Sequence, residues 1–326
     1  MLSSRFGRLH FVVLLMFFLT RCSAPPQAGN AEGGEDSLLP LADQVREMVS
    51  GFQGEVSLYA KNLDTGEEFA LRADKPVRTA STTKIPIMVA CYRAVAEGKA
   101  RWDEKIPLRS GDKVSGSGVI REFDDDTLLT LRDLMHVMIV VSDNTATNLV
   151  LGRLTADYVN ETMERMGFAH TRSMRKIRGD GNQLKAAAGW SEEGEKEENK
   201  RFGIGRSTPR EMARLLEMLA EGEVVSPAAS REMVEVLKRQ QYKDGIGRTL
   251  GEAAGFVVGS KSGALDALRT DVGIVFHPKG RLVIAATVEG MAETDYSPDN
   301  RGNLLISRLS GILVRALLLH DATSRP

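Results

Sequence analysis

Strand-forming stretches lie at both ends of this chain, and a long helical stretch separates them. Near the start, Glu55–Lys61 and Glu67–Leu71 read as a hairpin joined through the turn sequence Asp64-Thr65-Gly66. Near the end, Phe256–Ser260, Asp271–Phe276 and Arg281–Val288 are β-rich, with a Pro278-Lys279-Gly280 turn between the last two. Helical patterns fill the middle. Thr130 with Asp133 resembles a capping box before the apolar run Leu134–Val141. Thr208-Pro209 with Glu211 opens a helix through Met212, Leu215 and Leu216 that stops near Gly222. A first helix is predicted at about 38–52, on Leu41, Val45 and Val49, and a closing amphipathic helix at about 303–319. The order predicts an α/β (α+β) fold, with an antiparallel sheet flanked by helices and built from both chain ends. Residues 37–80 and 226–326 would form that domain, and 81–225 an inserted all-helical domain.

At 326 residues the chain can bury a core of this size. With 42% hydrophobic and 27% charged residues it is neither disordered nor multi-spanning in composition. The formal charge is −1, and losing Arg5, Arg8 and Arg21 with residues 1–21 would take it to −4, which is no footprint for nucleic acid. Arg5 and Arg8 precede the apolar run Phe11–Leu19. At about nine residues that run is too short to cross ~30 Å of hydrocarbon at 1.5 Å per residue, so 1–22 is expected to be an export signal. Leu19-Thr20-Arg21-Cys22 resembles a bacterial lipoprotein signal, in which Cys22 would be lipidated and tether the protein to a membrane. Arg21 stands where a small residue is usual, so ordinary cleavage slightly further on stays open. Residues 23–36 are Pro-, Gly- and Ala-rich and read as a flexible tether. The expected location is the periplasm or cell envelope. The other cysteine, Cys91, falls in an apolar helical run and reads as a buried free thiol.

Three Ser-x-x-Lys motifs occur, at Ser81–Lys84, Ser110–Lys113 and Ser173–Lys176. Only Ser81 opens an apolar helical run (Ile85, Ile87, Met88, Val89), which places it at a helix N-terminus with Lys84 on the same face. Free N–H groups and the positive dipole end there favour a developing oxyanion. A serine hydroxyl is a poor nucleophile until its proton is removed. Lys84 does this only when neutral, so its pKa must fall from about 10.4 to about 7, roughly 4 kcal/mol of differential stabilisation. Burial and a second cation supply such a drop. A second lysine stands in Lys261-Ser262-Gly263, inside the strand-like run Phe256–Ala264. A hydroxyl beside a cation suits a carboxylate, and Gly263 permits close approach to the backbone. Ser142-Asp143-Asn144 directly follows the apolar run Met138–Val141. Alone, it reads as a helix-capping turn, and Lys-Ser-Gly alone as a strand-end turn.

Ser-x-x-Lys opening a helix, then Ser-Asp-Asn, then Lys-Ser-Gly on a strand is the motif set of class A β-lactamases and penicillin-binding proteins. The stretches STTKIPIMVACYRAV, LMHVMIVVSDNTATNLVL, STPREMARLL and GSKSGAL resemble that family over most of residues 40–320. The resemblance implies an active site between the two domains and a serine hydrolase that opens the β-lactam ring through an acyl-enzyme on Ser81. Lys84 would be a base for Ser81, and Ser142 would relay a proton to the leaving amine. Asn144 would hold the substrate amide and the lysine pair, and Lys261 and Ser262 would bind the substrate carboxylate. The backbone N–H groups of Ser81 and Ala264 would form the oxyanion hole. Arg269 lies close to where many members place a carboxylate-binding arginine. The chain departs from the family in one respect, because no Glu-x-x-Leu-Asn motif precedes the Thr-Pro helix. The spacing points to Glu192 as deacylation base, with Glu193, Glu195, Glu197 and Glu198 around it; a solvated acidic loop is the alternative. Two other readings therefore stay open. One is a penicillin-binding-protein-like D,D-peptidase or esterase, acting on cell-wall peptide, that β-lactams acylate and that deacylates slowly. The other is a non-catalytic envelope-binding lipoprotein. The five histidines show no close ligand spacing for a metal, Gly-x-Ser-x-Gly does not occur, and the implied chemistry calls for no cofactor.

Overall fold

The computed structural model describes residues 39–320, so the predicted export signal 1–22, its Cys22 and the tether 23–36 lie outside the described residues. Helix α1 (Leu41–Ser50) leads into β1 (Glu55–Asn62) and β2 (Glu68–Leu71). Their turn is tied by Asn62, whose Oδ1 accepts from the Asp64 and Thr65 amides at 2.8 and 3.1 Å. After β3 (Val77–Arg78), a 3-10 turn over Ala80–Thr83 runs directly into α2 (Lys84–Ala96). The short strands β4 (Lys105–Pro107) and β5 (Leu128–Thr130) pair, and α3 (Leu131–Val140), α4 (Asn144–Leu154) and α5 (Ala156–Arg165) come after them. Next come β6 (Arg172–Ser173), α6 (Glu192–Glu195) and β7 (Gly205–Ser207), and the last of these pairs with both β3 and β6. Helices α7 (Pro209–Glu221) and α8 (Pro227–Lys238) precede β8 (Val257–Leu265), β9 (Leu268–His277) and β10 (Gly280–Glu289). Helix α9 (Arg301–Leu313) closes the fold and continues as a π-helical turn over Val314–Leu319.

The main sheet is antiparallel in the order β2-β1-β10-β9-β8, so the two chain ends meet where β1 pairs with β10. Period-two alternation divides its side chains between two cores. Leu58, Ile284 and Val275 face α1 and α9, packing on Val45, Ile306, Leu309 and Leu313. Tyr59, Val283, Ala285, Val272 and Ile274 face the helices on the other side. With both faces covered, β9 and β10 are buried along most of their length. The strand-like run expected over Phe256–Ala264 is β8, whose β-rich part ends at Ser260 and which continues to Leu265. Pairing of Lys261–Leu265 with β9 supplies there the backbone bonds that apolar patterning does not signal.

Helix α2 is buried on nearly every side, from Lys84 to Ala94, and forms the centre of the second core. Cys91 is a free, fully buried thiol within it, and burial pushes its pKa up. The boundary expected at 225 falls between α7 and α8, which pack on each other and both lie on the sheet. Helix α7, expected within the helical insertion, rests on β1, β9 and β10 through its apolar side (Met212, Leu215, Leu216, Leu219). Its start obeys the sequence signal: the Thr208 side chain accepts from the Glu211 amide at 3.1 Å, and Gly222 ends it in the left-handed region at φ 80°. Glu211 does not reach back to the cap. Its carboxylate instead accepts from the Ala169 and His170 amides and the Thr171 hydroxyl. Thr208→Ala is expected to lower stability by about 1 kcal/mol, read as a shift in the urea midpoint with an unchanged slope.

Candidate active site

Ser81 stands in the 3-10 turn ahead of α2, so the expected helix N-terminus begins one tight turn earlier than the α-helix proper. Its neighbour Ala80 has φ 43°, a left-handed value that costs a non-glycine residue about 1–3 kcal/mol. Strand β8 passes directly over this turn. A Cβ placed on Gly263 would lie 2.8 Å from the Ser81 amide nitrogen and 3.0 Å from Ala80 Cβ. Only glycine lets the strand approach that closely, and the contact sets the Ser81 amide beside Gly263. Ala264 is exposed, Ser262 is half-buried, and Lys261 is fully buried.

Lys84 is fully buried. Its Nζ bonds Ser142 O at 2.6 Å, Ser142 Oγ at 3.0 Å and Asn144 Oδ1 at 3.0 Å. The turn bearing these partners is held in an unusual shape. Ser142 has φ 55°, again left-handed, and Asp143 locks the backbone on either side of the turn. Asp143 Oδ1 caps α4 by accepting from the Ala146 amide at 2.8 Å, while Oδ2 accepts from Val119 and Ile120 amides at 2.6 and 2.9 Å. Asp143 is therefore the helix cap, while its neighbours Ser142 and Asn144 bond Lys84. Asn144 Nδ2 donates to Ser115 O at 3.1 Å, which fixes the amide with its oxygen toward Lys84.

Burial, and secondarily the positive charge of Lys261, hold Lys84 well below the ordinary ammonium range, with Asp143 opposing. Burial also brings Lys261 down to about 7, against the pull of Asp271. Lys261 Nζ donates to Ser262 O at 2.8 Å. Asp271, on β9 opposite Ser262, carries no motif that marks it in the sequence. Its carboxyl is buried, accepts from the Ile246 amide at 2.8 Å and is raised by desolvation to about 7.

Two other residues singled out in the sequence have different partners. The buried Arg269 guanidinium donates to the carbonyls of Leu265 and Leu268, at 2.7 and 2.6 Å, and to that of Asp295. With these three bonds it ties the β8–β9 turn. Glu192 is exposed at the start of α6, with its amide held by Asp157 of α5 at 2.8 Å. Among the described residues, no hydrogen bond or ion pair joins Glu192 to Ser81, Lys84, Ser142 or Asn144.

A different part of that segment borders the site. Asn148 lies one turn after Asn144 on α4, hence on the same face. Its side chain pins Ile177 by both backbone groups, donating to Ile177 O at 2.8 Å and accepting from Ile177 N at 2.7 Å. Ser115 Oγ accepts from the Asp180 amide at 2.8 Å. Residues 177–180 thus lie against the same helix and loop that hold Asn144. The i+4 relation of Asn148 to Asn144 is the signal the sequence offers; the identity of the pinned residue is not written there.

A deeply buried lysine bonded to the serine and asparagine of a Ser-Asp-Asn turn, below a strand carrying Lys-Ser-Gly, defines a class. The chain belongs to the β-lactamase enzyme family, whose model matches residues 40–317. It is 27% identical over 252 residues to "Beta-lactamase 3" of Bacillus cereus, covering 76% of this chain and 73% of that one. A β-lactamase structure from Sphaerobacter thermophilus superposes with a TM-score of 0.74 at 31% identity, covering 86% of this chain and 98% of that one. A structure of a PBP-A variant, an acyl-enzyme complex with penicillin G, superposes with a TM-score of 0.70 at 26% identity and covers 85% and 95%.

Proposed function

We propose that this chain is a serine hydrolase in which Ser81 opens β-lactam rings, forms an acyl-enzyme rapidly and releases it slowly. The observation that carries the first half is the fully buried Lys84 with its Nζ bound by Ser142 and Asn144. An ammonium would donate to all three oxygens; a neutral amine donates to Ser142 O and Asn144 Oδ1 and accepts from the Ser142 hydroxyl. The neutral form is favoured by burial and by Lys261. Ser81 Oγ attacks the lactam carbonyl and its proton passes to Lys84 Nζ. The oxyanion develops beside the amides of Ser81 and Ala264. As the C–N bond breaks, the proton returns through Ser142 Oγ to the leaving nitrogen, which leaves an ester on Ser81 and a neutral amine. Lys261 and Ser262 receive the substrate carboxylate.

Slow release is a consequence of the side chains that border the site. Hydrolysis of the ester needs a base for water, and the side chain at the Asn148-pinned position is Ile177, flanked by Lys176 and Arg178. Loss of a general base costs ~10²–10⁴-fold in such a step. A PBP-A variant captured as an acyl-enzyme with penicillin G supports formation of the same ester here, not the rate of its release. Faster turnover, as the names of the curated relatives imply, would be a second reading. Mixing the protein with a chromogenic cephalosporin separates them. The expected trace is a burst of one equivalent followed by a slow linear phase, with a mass increase on Ser81. Ser81→Ala should abolish both the burst and the adduct; labelling that survives this change would end the proposal.

A further inference from the structure

Helices α3 and α8 pack together, and a groove of about 410 Å³ opens along them. From α3 it receives Arg132 and His136, one turn apart; from α8 it receives Arg231, Glu232 and Glu235, and Arg239 from the residue that ends the helix. The charges do not balance locally. Glu235 is paired with Lys238 at 2.7 Å. Glu232 is shared between Arg132 at 3.7 Å and the Tyr92 hydroxyl at 3.2 Å. Among the described residues, neither Arg231 nor Arg239 has a carboxylate within ion-pair distance.

The wall of the groove is preorganised. The Arg132 guanidinium stacks over Trp102 at 4.8 Å, and Trp102 meets Tyr92 edge-on at 4.7 Å. His136, half-buried, is held below its ordinary range first by burial and then by Arg239 and Arg132, while Asp133 and Glu232 oppose. Like charges thus converge on a concave surface that offers them too few counter-charges. Folding gains nothing from such crowding. An anion with several oxygens would relieve it, because guanidinium forks match phosphate geometry better than a point charge does.

We propose that the α3–α8 groove is a binding site for a phosphate anion, held by Arg132, Arg231 and Arg239 with His136 at its side. The phosphate comes either free or on a phospholipid headgroup, and the two sources separate experimentally. In the full chain, the His136 ring resonances are followed against pH with inorganic phosphate or with chloride at matched ionic strength. Co-sedimentation with vesicles of phosphatidylglycerol or phosphatidylcholine tests the lipid source. Free phosphate should raise the His136 pKa saturably where chloride does not, since anion and proton binding are reciprocal. A lipid site should instead show retention on the anionic vesicles alone. The double variant Arg231→Gln/Arg239→Gln alters only exposed side chains, and its thermal midpoint should match the parent. It should weaken whichever response is seen by at least about tenfold. Equal responses to phosphate and chloride with no selective retention would overturn the site, and so would a response that persists undiminished in the double variant.

Discussion

Lys84→Met is expected to slow acylation of Ser81 by about 10²–10⁴-fold, the usual worth of a positioned general base, while the chain stays folded. Methionine nearly fills the volume of the buried lysine and removes a group whose burial itself carries a cost. The second-order acylation rate should also change its pH dependence. In the parent, the base works only when Lys84 is neutral, so the rate climbs as pH rises through a pKa that burial and Lys261 have lowered. Lys261 must keep its proton to attract the substrate carboxylate, and with its pKa near 7 that attraction fades as pH rises above about 7. The parent profile is therefore bell-shaped. Lys84→Met should lose the rising acid limb and retain the alkaline fall. A parent rate that keeps increasing to the pH of an ordinary lysine would mean that Lys84 is not the base.

Ile177→Glu is expected to turn the slow phase into sustained turnover, raising deacylation by ~10²–10⁴-fold with little change in the burst rate. The backbone of residue 177 is already clamped by Asn148, so the new carboxylate would be delivered on a fixed segment beside the helix that carries Asn144. Ile177→Gln is the control: it matches glutamate in size and polarity but is no base. Single-turnover and steady-state rates measured on the same samples separate acylation from release. Equal deacylation in the Glu and Gln variants would show that residue 177 does not limit release, and would direct attention to the Asp180 carboxylate near Gly116.

Much of this site is legible along the chain because its parts are local signals. Ser81 and Lys84 sit three residues apart at a helix start, and Asp143 is a helix cap that also shapes the turn between Ser142 and Asn144. Other features have no local signature. Asp271 reads as one polar residue in a strand, and only pairing with β8 sets it opposite Ser262. Arg269 lies, by resemblance, near where many family members place a carboxylate-binding arginine, and only the fold brings the carbonyls of Leu265, Leu268 and Asp295 to its guanidinium. Counting back from Pro209 leads to Glu192, because spacing in a long loop says nothing of how the loop is folded. Two hydrogen bonds with Asn148 hold the backbone of Ile177 against α4, and no local pattern marks that pairing.

The two-ended sheet, the buried helix behind Ser81 and the three motifs are thus properties of the sequence, because periodicity, capping and short-range spacing are written residue by residue. Tertiary structure alone decides that Lys84 reaches Ser142 and Asn144, that β8 lies against Ser81 through Gly263, and that Asn148 holds the backbone of Ile177. Those relations join residues far apart in the chain, and only packing brings them within hydrogen-bonding reach.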